Sequence, residues 1–419
     1  MSDRPATDPN LVDPQFSDPA QIPPTETPTH QVAALHPLPR GLRWLHRLPS
    51  MAVALADQAV VSGANFLHMI AAAKCLSMED FGVFSLAWAV LLFAGNIHHA
   101  LVLSPLAVLY SEYTPAVARR YLGLLQRFHI GIMLLLFPAL LAAWVLPTLG
   151  PLILATALVS LLRQATEHER RIGYVLHDSA RALLVDMVTY GPLLVTMLWL
   201  WLNPLPLDRE LVMVAAAIPA ALGWMVGRRL FAHVRTLTYN LDRSPRHLKQ
   251  HWAFGKWVLV TVLAMYAGSN AYPFLVAGII GLKEVAMLNA AKALVGITHP
   301  IMVGLEAYFL PRLRYVYVTC GFRVGLKYGL RICIGMFLAL LPILLSFVIW
   351  PEKLLSLVVS EEYSSAGWIL RWFAVLYIIV MLNKGLSLIL NAAKEPRAAA
   401  IGNILATGFT LVIGVLLVF

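Results

Sequence analysis

Apolar runs near bilayer length recur along almost the whole chain, and they restrict its fold more than any other feature. They lie near residues 52–73, 83–109, 122–146, 148–168, 182–202, 211–232, 253–280, 284–309, 325–350, 366–391 and 397–419. A membrane helix needs about 20 such residues. Only helices and closed barrels satisfy their backbone polar groups in lipid, and runs of this length read as helices. With 59% hydrophobic and 13% charged residues in 419, a soluble fold would lack the polar surface to cover itself. The expectation is an all-α polytopic membrane protein, which excludes a soluble enzyme, a disordered scaffold and a disulfide-rich secreted domain.

The segments ahead of the runs differ in kind. Residues 1–39 are rich in Pro, Asp and Thr, with Asp8-Pro9, Asp13-Pro14 and Asp18-Pro19 in regular series. Such a stretch buries too little apolar area to offset its ordering entropy and reads as a disordered cytoplasmic tail. Residues 40–50 set Arg43 and Arg47 among Leu42, Trp44, Leu45 and Leu48, the pattern of an interfacial amphipathic helix.

The net charge of +10 is largely a topology signal. Basic residues gather at the ends that would share a side with the N-terminus: Arg40, Arg43 and Arg47, then Arg119, Arg120 and Arg127. Arg163, Arg170, Arg171 and Arg181 follow span four, and Arg228, Arg229, Arg235, Arg243 and Arg246 follow span six. The opposite loops hold Lys74, Arg209, Lys283 and Lys353. This asymmetry predicts a cytoplasmic N-terminus and no role in nucleic acid binding. Cys75, Cys320 and Cys333 follow no metal or disulfide pattern, and no cofactor is expected.

The chain also resembles itself. Gly63-Ala64-Asn65 and Gly268-Ser269-Asn270 stand 205 residues apart, as do Glu79 and Glu284. The series continues through Ser104-Pro105 and Leu310-Pro311. A repeat of six spans is even, so both copies cross in the same direction, as in carriers with a site between two lobes. The expected organisation is an N-terminal six-helix lobe at 51–232, a cytoplasmic linker at 233–251 and a C-terminal lobe at 252–419. The second lobe shows about five helices, one short of the twelve the repeat implies for the whole chain.

Ionisable residues inside spans are costly and mark cavities or partners. Span one carries Asp57, Gln58, Ser62, Asn65 and His68; span two carries Asn96, His98 and His99. Span seven carries Asn270. In span eight Lys292, His299 and Glu306 are seven apart and would form one helical stripe. Span ten carries Arg371, Asn383, Lys384 and Asn391. Lys292, Lys384 and Arg371, with Asn65, Asn270 and His299, suit a cavity for an anionic, hydroxyl-rich substrate. Asp57 and Glu306 are candidates for ion coupling. Interhelical hydrogen bonding is the competing role for the amides. No metal site is expected.

The stretch Asp57-Gln58 through Ser62-Gly63-Ala64-Asn65-Phe66, then Met78-Glu79-Asp80-Phe81-Gly82-Val83-Phe84, resembles the opening of oligosaccharide flippases. Arg170-Arg171 through Tyr174 and Arg181 to Asp186 resembles their connection between spans four and five. These flippases are a branch of the multidrug/oligosaccharidyl-lipid/polysaccharide (MOP) exporter superfamily. The resemblance implies two pseudo-symmetric helical bundles around a central cavity, in a bacterial inner membrane. It implies flipping of undecaprenyl-diphosphate-linked glycan for exopolysaccharide, capsule or O-antigen, by alternating access within the membrane lipid. A polysaccharide polymerase or synthase complex is the implied partner. The alternatives are a cation-coupled drug exporter of the same superfamily and a noncatalytic partner in polysaccharide assembly. A membrane enzyme is disfavoured, because outer loops of about 4–16 residues leave no room for a catalytic domain. GxSxG, HExxH and P-loop patterns do not occur either.

Overall fold

The structure, a computed structural model, describes residues 50–112, 115–142, 150–176, 178–232 and 245–392. The tail at 1–39, nearly all of the interfacial segment at 40–50 and the eleventh apolar run lie outside them. Within them the regular elements are all helices. Among the described residues, seven helical stretches are long and apolar enough to cross a bilayer.

The first bundle opens with α1 (Ser50–Cys75), α2 (Met78–His98), a π-helical turn (His99–Leu103) and α3 (Ser104–Glu112). It continues with α4 (Pro115–Ala142), α5 (Leu152–Val175) and α6 (Ser179–Leu202). It closes with α7 (Arg209–Val214) and α8 (Ala217–Leu230). Helix α1 packs along α6, which packs on α5 and α8. Next comes α9 (Pro245–Ile279), then α10 (Leu282–Val295) and α11 (Thr298–Ile349). A short α12 (Pro351–Val358) and a 3₁₀ turn (Glu361–Ala366) lead to α13 (Gly367–Ala392). Helix α11 pairs with α13, while α9 runs along α2 and the π turn. Helix α9 begins at Pro245, inside the stretch predicted to be a linker.

Prolines account for where predicted spans break. Pro219 has no N–H for the carbonyl of Ala215 and crowds it, and span six divides there into α7 and α8. Pro300 stands in the same relation to Gly296, whose carbonyl instead accepts from His299 N–H at 3.0 Å. This tight turn separates α10 from α11. Span eight is therefore two helices, and the turn breaks the expected stripe of Lys292, His299 and Glu306. Pro105 lies four residues after Leu101, and span two opens into the π turn just before it. Helix α11 likewise joins the end of span eight to span nine, with a break at Gly321, whose φ of 82° suits a residue without a Cβ.

Two histidines satisfy carbonyls at these breaks. His251 Nε2 on α9 donates to Leu101 O at 2.7 Å. At the α7–α8 break the Ala216 N–H turns to Met213 O, and His68 Nε2 on α1 donates to Val212 O at 2.9 Å. A carbonyl left unpaired in an apolar interior would cost about 1–3 kcal/mol, so these side chains stabilise the breaks.

The two bundles meet closely at the end the loop charges predict to be outer. Phe81 sets its ring edge-on to Tyr363 at 6.1 Å, and Trp201 Nε1 donates to Val358 O at 2.7 Å. Gly82 is required there: a Cβ would lie 2.2 Å from the carbonyl oxygen of Leu282. The Glu79–Lys283 pair, at 3.6 Å and largely exposed, adds little.

Candidate functional site

Helix α5 carries the most polar interior of the fold. It runs to Val175, so Arg163, Arg170 and Arg171 lie on the helix rather than in a loop after span four. Its apolar side chains, such as Ile153, Val159 and Ile172, are buried together with Gln164, His168 and Glu169.

Arg170 is the centre of a buried ionic cluster. Its guanidinium lies 2.9 Å from Asp57 Oδ2 on α1, 2.5 Å from Asp186 Oδ2 on α6 and 3.1 Å from Glu167 Oε2 on its own helix. Asp57 and Asp186 are 1% and 0% exposed, so neither charge can be balanced by solvent. The Tyr174 hydroxyl donates to Asp57 Oδ2, and the Tyr190 hydroxyl donates to Glu167 Oε1 at 3.3 Å. A guanidinium suits this position because its planar fork reaches several carboxylates at once. Asp57, expected as an ion-coupling residue, thus sits in a shared ionic network.

A second cation stands one helical turn and more from the first. Arg163 Nη2 donates to Asn65 Oδ1 at 2.9 Å. Its guanidinium lies over the rings of Trp88 and Tyr190, at 5.2 and 5.7 Å from their centroids. In the second half, Lys292 Nζ donates to Asn270 Oδ1 at 3.0 Å. Asn65 and Asn270 are the repeat-equivalent asparagines, and each accepts from a half-buried cation.

The structure does not gather all the predicted positions. Arg371 is 46% exposed, donates from Nη2 to Glu352 at 3.1 Å and from Nε to Val348 O, and is not joined to Lys292. This is a snorkelling arrangement at the end of α13. His299 is exposed at the α10–α11 turn, off the line of Lys292. The side chains of Lys384 and Glu306 lie outside the described residues. Among the described residues no cluster of His, Cys, Asp and Glu could hold a metal ion, and Cys75, Cys320 and Cys333 are free thiols.

Sequence reasoning missed Arg163, Glu167, Arg170 and Asp186 as interior groups. Their signal was present, since Arg170, Tyr174 and Asp186 fall in the stretch that resembles the flippases. A charge count cannot separate a basic loop from a helix that turns its arginines inward.

No family model matches the chain, and no curated protein matches it. Solved structures do. An inward-facing multidrug resistance MATE family transporter of the MOP superfamily aligns at 14% identity, over 86% of this chain and 84% of its own, with a TM-score of 0.61. An outward-facing structure of such a transporter aligns at 13% identity over 89% and 90%, with a TM-score of 0.60. A MOP superfamily transporter from Pyrococcus furiosus, for which reverse polarity of the binding pocket suggests a different function, aligns at 13% over 89% and 90%, with a TM-score of 0.57. The chain shares their fold, bundles of membrane helices around a central cavity.

Proposed function

We propose that this chain is a membrane transporter of the MOP type that flips a diphosphate-linked oligosaccharide lipid across a bacterial inner membrane. The observation that carries the reading is the pair of cations fixed on equivalent asparagines, Arg163 on Asn65 and Lys292 on Asn270. The carboxylates of the first bundle, Asp57, Glu167 and Asp186, converge on Arg170. Arg163 and Lys292 each donate to a neutral amide oxygen, and Arg163 also lies within electrostatic reach of Glu167. An anionic headgroup suits two such cations, one from each bundle, better than a cationic drug does. A fold shared with multidrug transporters does not fix the charge of the cargo: the Pyrococcus furiosus relative is described with reversed pocket polarity.

Alternating access is compatible with such a fold, with the seam at Gly82 and Leu282 opening as the bundles rock and the lipid tail remaining in the bilayer. Asp57 and Asp186, two buried carboxylates on one guanidinium, are the groups that would exchange a coupling cation or proton. Lys384 joins the substrate-binding set by its place on α13, about three and a half turns from Arg371, and Glu306 remains a coupling candidate. His299 would lie at the rim. No catalytic step is required.

The test is deletion of the gene followed by measurement of which leaflet holds the lipid-linked intermediate. Retention in the cytoplasmic leaflet supports the reading. Unchanged periplasmic delivery in a strain without a redundant carrier overturns it, and sensitisation to cationic drugs alone would favour the drug exporter.

A further inference from the structure

Three histidines meet in the core of the first bundle, each from a different helix. His98 Nε2 on α2 lies 2.8 Å from His129 Nδ1 on α4. The His129 ring lies flat on that of His168 from α5, with centroids 4.3 Å apart and planes 4° from parallel. His168 Nε2 is 3.0 Å from Gln126 Oε1. The three rings are 1%, 6% and 1% exposed.

Interhelical bridging alone asks for less than this. An amide or hydroxyl would join two helices as well. An imidazole adds a second ring nitrogen, so it can accept a proton on one side and release one on the other. A nitrogen–nitrogen contact of 2.8 Å holds one proton between two rings. Intramembrane histidines in contact are the chemistry of proton relays.

We propose that His98 and His129 form a one-proton exchange site inside the first bundle. A proton delivered by hydronium to His98 Nδ1 releases the Nε2 proton of His98 to His129 Nδ1. His129 then gives up the proton on its Nε2 to a water molecule, regenerating hydronium. One proton enters, one leaves, and each ring has exchanged its tautomer; the reverse direction uses the same atoms. His168 is a positioning residue. Its Nε2–H is committed to the Gln126 oxygen, and its face fixes the plane of His129.

Charged and titratable groups near the pair come from the neighbouring elements. Next to His98, His99 interacts electrostatically with Glu167 and Arg171 of α5. Glu167 is itself bound to Arg170, which holds Asp57 of α1 and Asp186 of α6. From α9, His251 faces the same region but is committed: its Nε2 donates to Leu101 O, so Nδ1 accepts from the Tyr121 hydroxyl of α4 at 2.8 Å. Glu169 turns toward α8, against Gly227.

The proposal deepens the ion-coupling part of the function proposed above and does not depend on the cargo. Its test is solid-state NMR of the full chain, labelled with ¹⁵N-histidine, in lipid bilayers titrated downward from about pH 8 to about pH 3, past the ordinary imidazole range. The expected result is one imidazolium per protein shared by two coupled rings. That signal is lost in His98→Gln and in His129→Gln, kept in His247→Gln, and shifted in its titration by His168→Gln. Wild-type protein alone decides the matter if a variant fails to fold. A pair that stays neutral throughout, two rings that titrate independently, or a metal ion copurifying on the pair would each overturn the proposal. The spectra are recorded without cargo, so loss of glycan delivery leaves this result standing, and the converse also holds.

Discussion

Asn65 and Asn270 match in the sequence repeat, 205 residues apart, yet their cations come from different runs of the two halves. Arg163 reaches Asn65 from α5, the fourth apolar run of the first half, while Lys292 reaches Asn270 from α10, the second run of the other. The repeat kept the amide acceptor and its neighbouring glycine and let the donor move. The surroundings differ as well. Arg163 is framed by Trp88 and Tyr190 and lies on the helix that carries the buried ionic cluster. Lys292 lies on α10, whose Lys283 pairs with Glu79 of α2 at the exposed seam. The lesson is that a duplicated fold conserves positions where polar groups are tolerated before it conserves which charge stands there.

Breaking the first bundle's cluster should have the largest effect. Arg170→Leu leaves Asp57 and Asp186 buried without their shared counter-charge, a change of about 3–5 kcal/mol. The expected outcome is collapse of folded yield and of thermal stability in detergent, partly restored by adding Asp186→Leu. Retained stability in the single variant would show that the cluster does not hold the bundle together.

Next come the two cations themselves. A charge-assisted hydrogen bond contributes about 1.5–3 kcal/mol, equivalent to roughly tenfold to a hundredfold in affinity. Arg163→Ala and Lys292→Ala should each lower complementation of glycan delivery by a factor in that range while the protein remains folded. If only one of them matters, the two lobes do not share the cargo. Arg163→Lys sharpens the comparison further, since it keeps the charge but loses the fork and the ring stacking.

Gly82→Ala tests the seam between bundles. Its methyl group cannot fit beside Leu282 O, so the helices must separate at a cost of about 1–3 kcal/mol. Disulfide formation between cysteines at Glu79 and Lys283 should fall in this background; undiminished cross-linking would show that the seam has slack. His251→Phe removes the imidazole that serves Leu101 O, and about 1–3 kcal/mol of stability with it. Last, Arg371→Ala should change stability by less than about 1 kcal/mol, because its pair with Glu352 is exposed. A transport defect there as severe as for Lys292→Ala would return Arg371 to the substrate-binding set.

The apolar runs told where helices lie because a span must satisfy its own backbone in lipid, a condition that acts on each run separately. The proline breaks were only half legible. Pro105, Pro219 and Pro300 can be seen in the chain, but Pro138, Pro192 and Pro273 are also there, and their helices continue through them. At two of the breaks the freed carbonyls are served by His251 of α9, at Leu101, and by the His299 N–H, at Gly296.

The candidate site was legible in Lys292, Asn270, Asn65 and Asp57, polar residues that stand out against apolar runs. Arg163 and Arg170 did not stand out, because they lie where a helix end and a basic loop look alike. Length and pattern by themselves determined an all-helical membrane fold and an internal repeat, since hydropathy and repetition are properties of the order of residues. Only the tertiary structure decided which cation meets which asparagine, that three carboxylates share Arg170, and that three histidines touch. Those are distances between helices, set by packing, and no spacing along one helix contains them.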